Sequence, residues 1–347
     1  MISTAVPVPG TTGGSGVRVG ITGTGAFVPE RVVGNGEVGR RLGVDEEWIR
    51  SRTGIRERHL AERGQATSDL AIPAALRACA RAGADPVSIE LVIVATASPD
   101  MATPATAALV AAAIGAPHAA AYDLSAASTG FVYALAQAYA SVASGLCRRV
   151  LVIGAEVLSR LVNWDDRSTC ILFADAAAAA VVEPVESGGF LGFELGSDGA
   201  RADDILIPAG GSRLPASPDT IERGLHTIRM NGQDVFRFST RVAPASALRL
   251  LDRCGLSIED VDLYAPHQSN RRIIDHTARS LGIAADRVLV DIDRFGNTSS
   301  ASIPLVLDDA VEHGQLRPGD TVLLSAVGAG MTWGTAIVAW GASGAGR

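Results

Sequence analysis

The chain contains no lysine, so all 30 of its basic residues are arginine. Cysteine is scarce: Cys79, Cys147, Cys170 and Cys254 stand alone among 347 residues, and no two form a C-x-x-C pair. That excludes a disulfide framework and a cysteine zinc site, and no metal is expected. A reducing, cytoplasmic setting follows as the expectation. Positive charge is also short, since 37 acidic residues leave a formal net charge of −7. A protein of that balance is not, as a whole, a nucleic-acid binder. Residues 1–16 lack the basic and apolar regions of a signal peptide. Their Thr, Gly, Pro and Ser content predicts a flexible tail. Three uncharged runs, 101–122, 124–147 and 321–346, are long enough to span a membrane. Their alanine, serine and glycine content falls short of the ~20 strongly apolar residues a span needs. They read as buried core, with no membrane partner.

Two motifs are missing as well. No G-x-S-x-G elbow occurs, which argues against an ordinary α/β-hydrolase. Gly23-Thr-Gly25 follows a β-branched run but lacks the third glycine of a dinucleotide fingerprint, since position 28 is valine. It reads as a structural turn.

What is present is a chain that is 47% hydrophobic, enough for a large buried core. The length fits about two domains or one duplicated unit. Strands are predicted at 17–22, 91–95, 119–124, 150–153 and 176–182, with helices at 46–50, 68–82, 106–114 and 129–144. The last helix is apolar on most faces and should be central. A Ser/Gly turn near 186–189 divides the chain into halves, 17–187 and 188–347. The second half repeats the grammar, with strands at 190–195, 261–265, 288–292, 321–326 and 335–340 and helices at 234–251, 271–281 and 302–313. Strands alternating with helices, twice over, predict two similar α/β layers packed together.

Three strand ends carry reactive side chains. In DLSAAS-TGF, a strand enters a small-residue turn and then a buried helix, which puts Ser128 near a helix N-terminus that favours negative charge. A plain serine cap is the other reading of that residue. His267, in HQSN, directly follows the strand DLYAP, and Asn297, in GNTS, follows VLVDI in the same way. Side chains at strand C-terminal ends face the ligand crevice of α/β sheets.

These motifs, with GIRERH at 54–59, EWI at 47–49 and the final G-x-G-x-TWG, resemble the β-ketoacyl-[acyl-carrier-protein] synthase III family of thiolase-fold condensing enzymes. The likeness runs from near residue 20 to near 340. It implies an α/β, five-layered αβαβα fold made of two similar halves, and a homodimer formed through a strand near residue 120. It implies an acyl-CoA donor, a malonyl-carrier-protein acceptor, and no cofactor. Ser128 falls on the nucleophile, with His267 and Asn297 completing the catalytic set. The oxyanion would be held by the backbone N–H groups of Ser128 and Ala329. Trp48, Arg52, Arg167 and Asn270 fall in the CoA-binding set; arginine suits phosphate and tryptophan offers a flat apolar face. Charge on a net acidic enzyme points to a basic docking patch for the carrier protein, for which Arg237, Arg271 and Arg272 are the candidates. Thr103 falls where a residue reaches across the dimer to close the partner's acyl pocket. Threonine is small there, which predicts room for starters longer than acetyl.

The chain departs from the family in two places. The family's nucleophile is cysteine. Its FGDGAGA segment reads FADAAAA at 173–179. A helix end contributes at most about 2 kcal/mol, about 1.5 pKa units, too little to ionise a hydroxyl. Serine therefore calls for a general base, and His267 is the sequence's candidate. Two explanations of the serine stand: a Cys→Ser replacement that traps substrate, favoured by the retained His267 and Asn297, and a natural serine in a priming enzyme of specialised metabolism. Two functions compete with condensation. One is acyl transfer to a hydroxyl, amine or second carrier through Ser128. The other is acyl-CoA binding by an inactive site, against which His267 and Asn297 count.

Overall fold

The structure, a computed structural model, describes residues 4–7 and 17–341. Two five-stranded sheets form it. The first runs Val19–Phe27, Asp175–Pro184, Val150–Val157, Leu91–Ala95, Ala120–Leu124 in spatial order. The second runs Thr4–Pro7, Gly189–Ser197, Thr332–Ala339, Thr321–Gly328, Leu263–Pro266. Helices Gly130–Ala143 and Ser302–Glu312 lie between the sheets. Thr67–Ala82 and Thr106–Ile114 cover the outer face of the first sheet, and Gly232–Cys254 and Arg271–Leu281 that of the second. The layers are therefore αβαβα, as the resemblance implied.

The central layer explains the uncharged run around 130–143. Phe131, Val132, Ala134, Leu135, Ala138 and Val142 are all buried, on more than one face of the helix, because a sheet lies on either side. Truncating Leu135 to alanine there would cost about 2–5 kcal/mol. No helix among the described residues is long and apolar enough to cross a membrane.

Four strands of each sheet correspond. In each, two antiparallel pairings are followed by a parallel one: Val19–Phe27, Asp175–Pro184, Val150–Val157, Leu91–Ala95 correspond to Gly189–Ser197, Thr332–Ala339, Thr321–Gly328, Leu263–Pro266. The first sheet adds Ala120–Leu124 at its parallel edge. Its counterpart is the segment expected as a strand at 288–292, and here the expectation fails. Only one parallel bridge forms, Tyr264 to Val288, and Asp291 then opens the short helix Ile292–Phe295.

Two further expectations change. Of the predicted tail 1–16, Thr4–Pro7 form a strand paired antiparallel to residues 192–195; the rest lies outside the described residues. Gly23 and Gly25 sit within the strand Val19–Phe27 rather than in a turn. A methyl group at Gly23 would lie 2.5 Å from the Ala78 carbonyl oxygen, and one at Gly25 2.6 Å from the Ala74 carbonyl oxygen. These glycines let the alanine face of Thr67–Ala82 rest on the strand.

Candidate active site

The strand Ala120–Leu124 leads into one tight turn, Ala127–Thr129, before the central helix begins at Gly130. Ala127 holds a left-handed backbone, φ 47°, which sets Ser128 at the helix entrance. Thr129 Oγ1 donates to the Ala126 carbonyl at 2.6 Å and lies 2.9 Å from Thr332 Oγ1, tying the turn to the last strand. The other end of that hairpin comes down on Ser128: a methyl group at Gly328 would stand 2.9 Å from the Ser128 nitrogen. Ala329 follows in the hairpin turn, and its N–H donates to no backbone carbonyl among the described residues. The hairpin thus brings a second free donor beside the nucleophile turn, the composition of an oxyanion site.

His267 ends the strand Leu263–Pro266, and its N–H donates to the Ser325 carbonyl at 2.8 Å. Its Nδ1 lies 2.6 Å from Ser302 Oγ, and that oxygen also accepts the Gln268 N–H at 3.3 Å. Nδ1 is the one acceptor in reach of the Ser302 hydroxyl proton among the described hydrogen bonds. We therefore assign the proton on the ring to Nε2. Burial lowers the His267 pKa to about 3, so the imidazole is neutral at physiological pH. Asn297 is fixed in a similar way. Its Oδ1 accepts the Ser299 N–H at 3.0 Å, which leaves Nδ2 as its free donor. Both residues are 6% exposed.

Ser128 Oγ is not hydrogen-bonded to His267. Its partner is Ser299 Oγ, at 3.2 Å. The general-base role expected of His267 is carried by no hydrogen bond to Ser128 among those described. The imidazole is buried, leans on a hydroxyl rather than a carboxylate, and is a weak base in that setting.

Ser128, His267, Asn297 and Ala329 line one cavity of about 660 Å³, and Arg52 and Asn270 line it as well. Leu161, Ile205, Ile228, Met230, Val235 and Phe236 give it an apolar wall. The remaining predicted contacts lie outside the lining. The Arg52 guanidinium carbon sits 4.1 Å from the Trp48 ring centroid, so the two side chains stack on each other. Arg167 Nη2 donates to the Leu42 carbonyl at 2.6 Å. Asn270 is engaged on both sides of its amide: it caps the Arg271–Leu281 helix and donates to the Arg52 carbonyl at 3.0 Å. It braces the C-terminal turn of the helix Glu46–Thr53, which carries Arg52.

Of the proposed docking arginines, Arg237 pairs with Asp234 at 3.5 Å and Arg271 with Asp275 at 2.7 Å. Arg272 has no ion pair among the described residues. Its guanidinium carbon lies 5.9 Å from the ring of Phe236, a residue of the cavity wall. Thr103 is exposed and lines no part of this cavity in the single chain.

Sequence reasoning missed the apolar wall, most of which comes from residues 205–236. Their side chains approach the site through short pairings such as Ile205–Leu206 with Arg229–Met230. It also passed over Ser299, though GNTS contains it; the signal is its left-handed φ of 50°, which no sequence pattern announces.

The chain matches two family models. Residues 122–199 match 3-oxoacyl-[acyl-carrier-protein] synthase III, and residues 251–340 match the C-terminal part of that enzyme. It is 52% identical to a β-ketoacyl-[acyl-carrier-protein] synthase III of Symbiobacterium thermophilum, over 93% of this chain and 98% of that protein. Among solved structures it is similar to β-ketoacyl-[acyl-carrier-protein] synthase III from Thermus thermophilus. The TM-score is 0.87 and the identity 45%, covering 93% of this chain and 99% of that one. It is also similar to the priming β-ketosynthase of the R1128 polyketide pathway, with TM-score 0.87, 35% identity, and 95% and 98% of the two chains covered.

Proposed function

The chain belongs to the 3-oxoacyl-[acyl-carrier-protein] synthase III family, and on that premise we propose that it starts acyl chains by decarboxylative Claisen condensation. Ser128 Oγ attacks the thioester carbonyl of an acyl-CoA. The developing oxyanion accepts hydrogen bonds from the Ser128 and Ala329 N–H groups. The C–S bond breaks, the Ser128 hydroxyl proton ends on the departing sulfur, coenzyme A leaves as the thiol, and the acyl group remains as a serine ester. Malonyl-carrier protein then enters and loses carbon dioxide. The electrons of that C–C bond form an enolate, whose oxygen accepts hydrogen bonds from His267 Nε2 and Asn297 Nδ2. The enolate carbon attacks the serine ester, the bond from the acyl carbon to Ser128 Oγ breaks, that oxygen takes up a proton from solvent, and a 3-ketoacyl-carrier protein results. The scheme uses no cofactor.

The observation that carries this reading is the pair of neutral donors, His267 and Asn297, in the same cavity as Ser128. An acid–base histidine would need a titratable ring; a ring kept neutral by burial suits an oxyanion. Arg52 at the cavity, stacked on Trp48 and held by Asn270, supports a phosphate-bearing donor. Arg272 beside the cavity wall supports docking of an acidic carrier protein. The exposed edge strand Ala120–Leu124, with Tyr122 39% exposed, supports a homodimer joined there.

A second reading has one observation in its favour. A serine ester is a poorer acyl donor to carbon than a thioester, so Ser128 also suits acyl transfer to a hydroxyl, an amine or another carrier, without decarboxylation. Carbon dioxide release from labelled malonyl-carrier protein separates the two. Release that requires acyl-CoA supports condensation. Acyl transfer with no release supports the second reading.

A further inference from the structure

We propose that a second, arginine-lined cavity, separate from the one around Ser128, binds a small diphosphate-bearing ligand of the nucleotide class. The site does not depend on which reaction Ser128 performs.

The second cavity measures about 650 Å³ and shares no lining residue with the catalytic one. The segment 158–164 contributes to both. Leu158 and Leu161 line the catalytic cavity, whereas Ser159, Arg160 and Trp164 line the second. The rest of its wall comes from the paired strands Arg31–Gly34 and Glu57–Leu60, the helix Asn35–Leu42 and the loop that follows Leu60. A concave space of this size suits a small molecule better than a protein surface.

Four arginines line it, Arg31, Arg41, Arg63 and Arg160, against one carboxylate, Glu37, in a chain of net charge −7. They converge from a strand, a helix, a loop and a turn. Arg31 pairs with Glu37 at 3.2 Å and Arg41 with Asp165 at 3.0 Å. Arg63 and Arg160 have no ion pair among the described residues. Arg160 Nη2 donates to the Glu62, Arg63 and Gln65 carbonyls at 2.8, 3.1 and 3.3 Å. One nitrogen thus fixes the loop that carries Arg63, and the other two keep no protein partner among the described hydrogen bonds.

A fifth arginine adjoins this wall. The strand pairing sets Arg31 opposite Leu60 and Val33 opposite Arg58, so the four side chains share one face. Three of them line the cavity. The fourth, Arg58, is fully buried. Its Nη2 donates to Asn35 Oδ1 at 3.0 Å and to the Ile171 carbonyl at 3.1 Å, while Nε and Nη1 are unpaired. Burial lowers its pKa to about 10, which leaves it charged at neutral pH. A buried cation with no carboxylate beside it is costly, and an anion in the adjoining cavity offsets that cost. Arg63, Arg160 and Arg58 together carry more positive charge than one carboxylate balances, and guanidinium forks match phosphate oxygens. Trp164 adds a flat apolar ring. It is half-buried, and its Nε1 donates to the Ser159 carbonyl at 3.1 Å, which pins the indole at the cavity. Arginines for phosphate beside an aromatic ring for a base are the composition of a nucleotide site.

The test is calorimetric titration of the whole protein with pyrophosphate and with ADP at physiological ionic strength. Both should bind saturably, ADP the tighter. Arg63→Glu and Arg41→Glu should each weaken both ligands at least about ten-fold. Trp164→Leu should weaken ADP about five-fold and leave pyrophosphate within about two-fold. Arg52→Ala, in the catalytic cavity, should leave both ligands within about two-fold, because it removes no charge from the second cavity. Thermal unfolding shows which variants fold; if Trp164→Leu does not, the exposed Arg63 and Arg41 decide. Absence of saturable binding overturns the proposal, and so does binding that the Arg63 and Arg41 changes leave intact. Loss of both ligands in Arg52→Ala alone would place the anion in the catalytic cavity and overturn it too. ADP binding no tighter than pyrophosphate would reject the nucleotide class. Binding of an acidic carrier protein that Arg63→Glu abolishes, with pyrophosphate and ADP inert, would make this face a protein-docking surface and reject the small-molecule site.

Discussion

Ala127 and Ser299 hold the same left-handed backbone, φ 47° and 50°, and they are the two non-glycine residues with positive φ among those described. Each precedes a serine in a tight turn that leads into a central helix, Ser128 before Gly130–Ala143 and Ser300 before Ser302–Glu312. The matched halves thus meet at matched turns. One presents its serine to the cavity. The other bonds its serine to the Ala95 carbonyl at 2.7 Å and to Glu156.

That geometry makes position 127 intolerant of branching. Ala127→Val should destabilise the fold by about 1–3 kcal/mol, because a β-branched side chain suits a left-handed residue worst. Ala127→Gly should be close to neutral, since glycine adopts that φ freely. Denaturant unfolding of both variants checks this; equal losses would show that φ is not what limits the site.

Burial of neutral His267 makes stability depend on acid. Its pKa is about 3 in the fold and about 6.5 in the unfolded chain. Between those values the unfolded chain binds one more proton. The stability that His267 contributes is therefore complete above about pH 6.5 and is lost progressively as pH falls toward 3, at up to about 1.4 kcal/mol per pH unit. His267→Gln should unfold with a slope against pH shallower by about one proton over that window. An unchanged slope would mean that the ring titrates alike in the folded and unfolded chain.

Much of this was legible in the sequence where a local signal and the tertiary outcome agree. The helices at 106–114 and 271–281 end where Gly115 and Gly282 take left-handed cap positions, and both ranges hold to the residue. Ser128, His267 and Asn297 come together because each ends a segment aimed at the same crevice. The segment 288–292 misled because its apolar residues have strand character, but its pairing is decided elsewhere: the Asp291 N–H is taken by buried Gln268 Oε1 at 3.2 Å and the chain turns helical. The partner of Ser128 was illegible because Ser299 reaches it only through an unusual φ.

Carrier-protein docking should fail selectively when Arg272 is reversed. Arg272→Glu is expected to lower kcat/KM for malonyl-carrier protein about ten-fold or more and to leave acylation by acyl-CoA within about two-fold, by analogy with close charge pairs across interfaces. Arg271→Glu serves as the control, since Arg271 is already paired with Asp275. Equal loss of both half-reactions in Arg272→Glu would reject the docking role.

Starter size tests Thr103. A panel of acyl-CoAs against Ser128→Cys should show use of branched or longer starters, and adding Thr103→Phe should narrow the choice to acetyl. Strict acetyl preference before the change, or no narrowing after it, would remove Thr103 from the pocket.

Condensation itself is read most directly from the mass of the carrier protein. The native enzyme is incubated with unlabelled acetyl-CoA and malonyl-carrier protein labelled with 13C at every malonyl carbon. The account predicts a 3-ketoacyl-carrier protein that keeps the other malonyl carbons and has lost the carboxyl one as labelled carbon dioxide, and it predicts that His267→Ala and Asn297→Ala abolish it. Carrier protein that gains the acetyl group while its malonyl label stays whole, or carries no new mass although Ser128 is acylated, would contradict it.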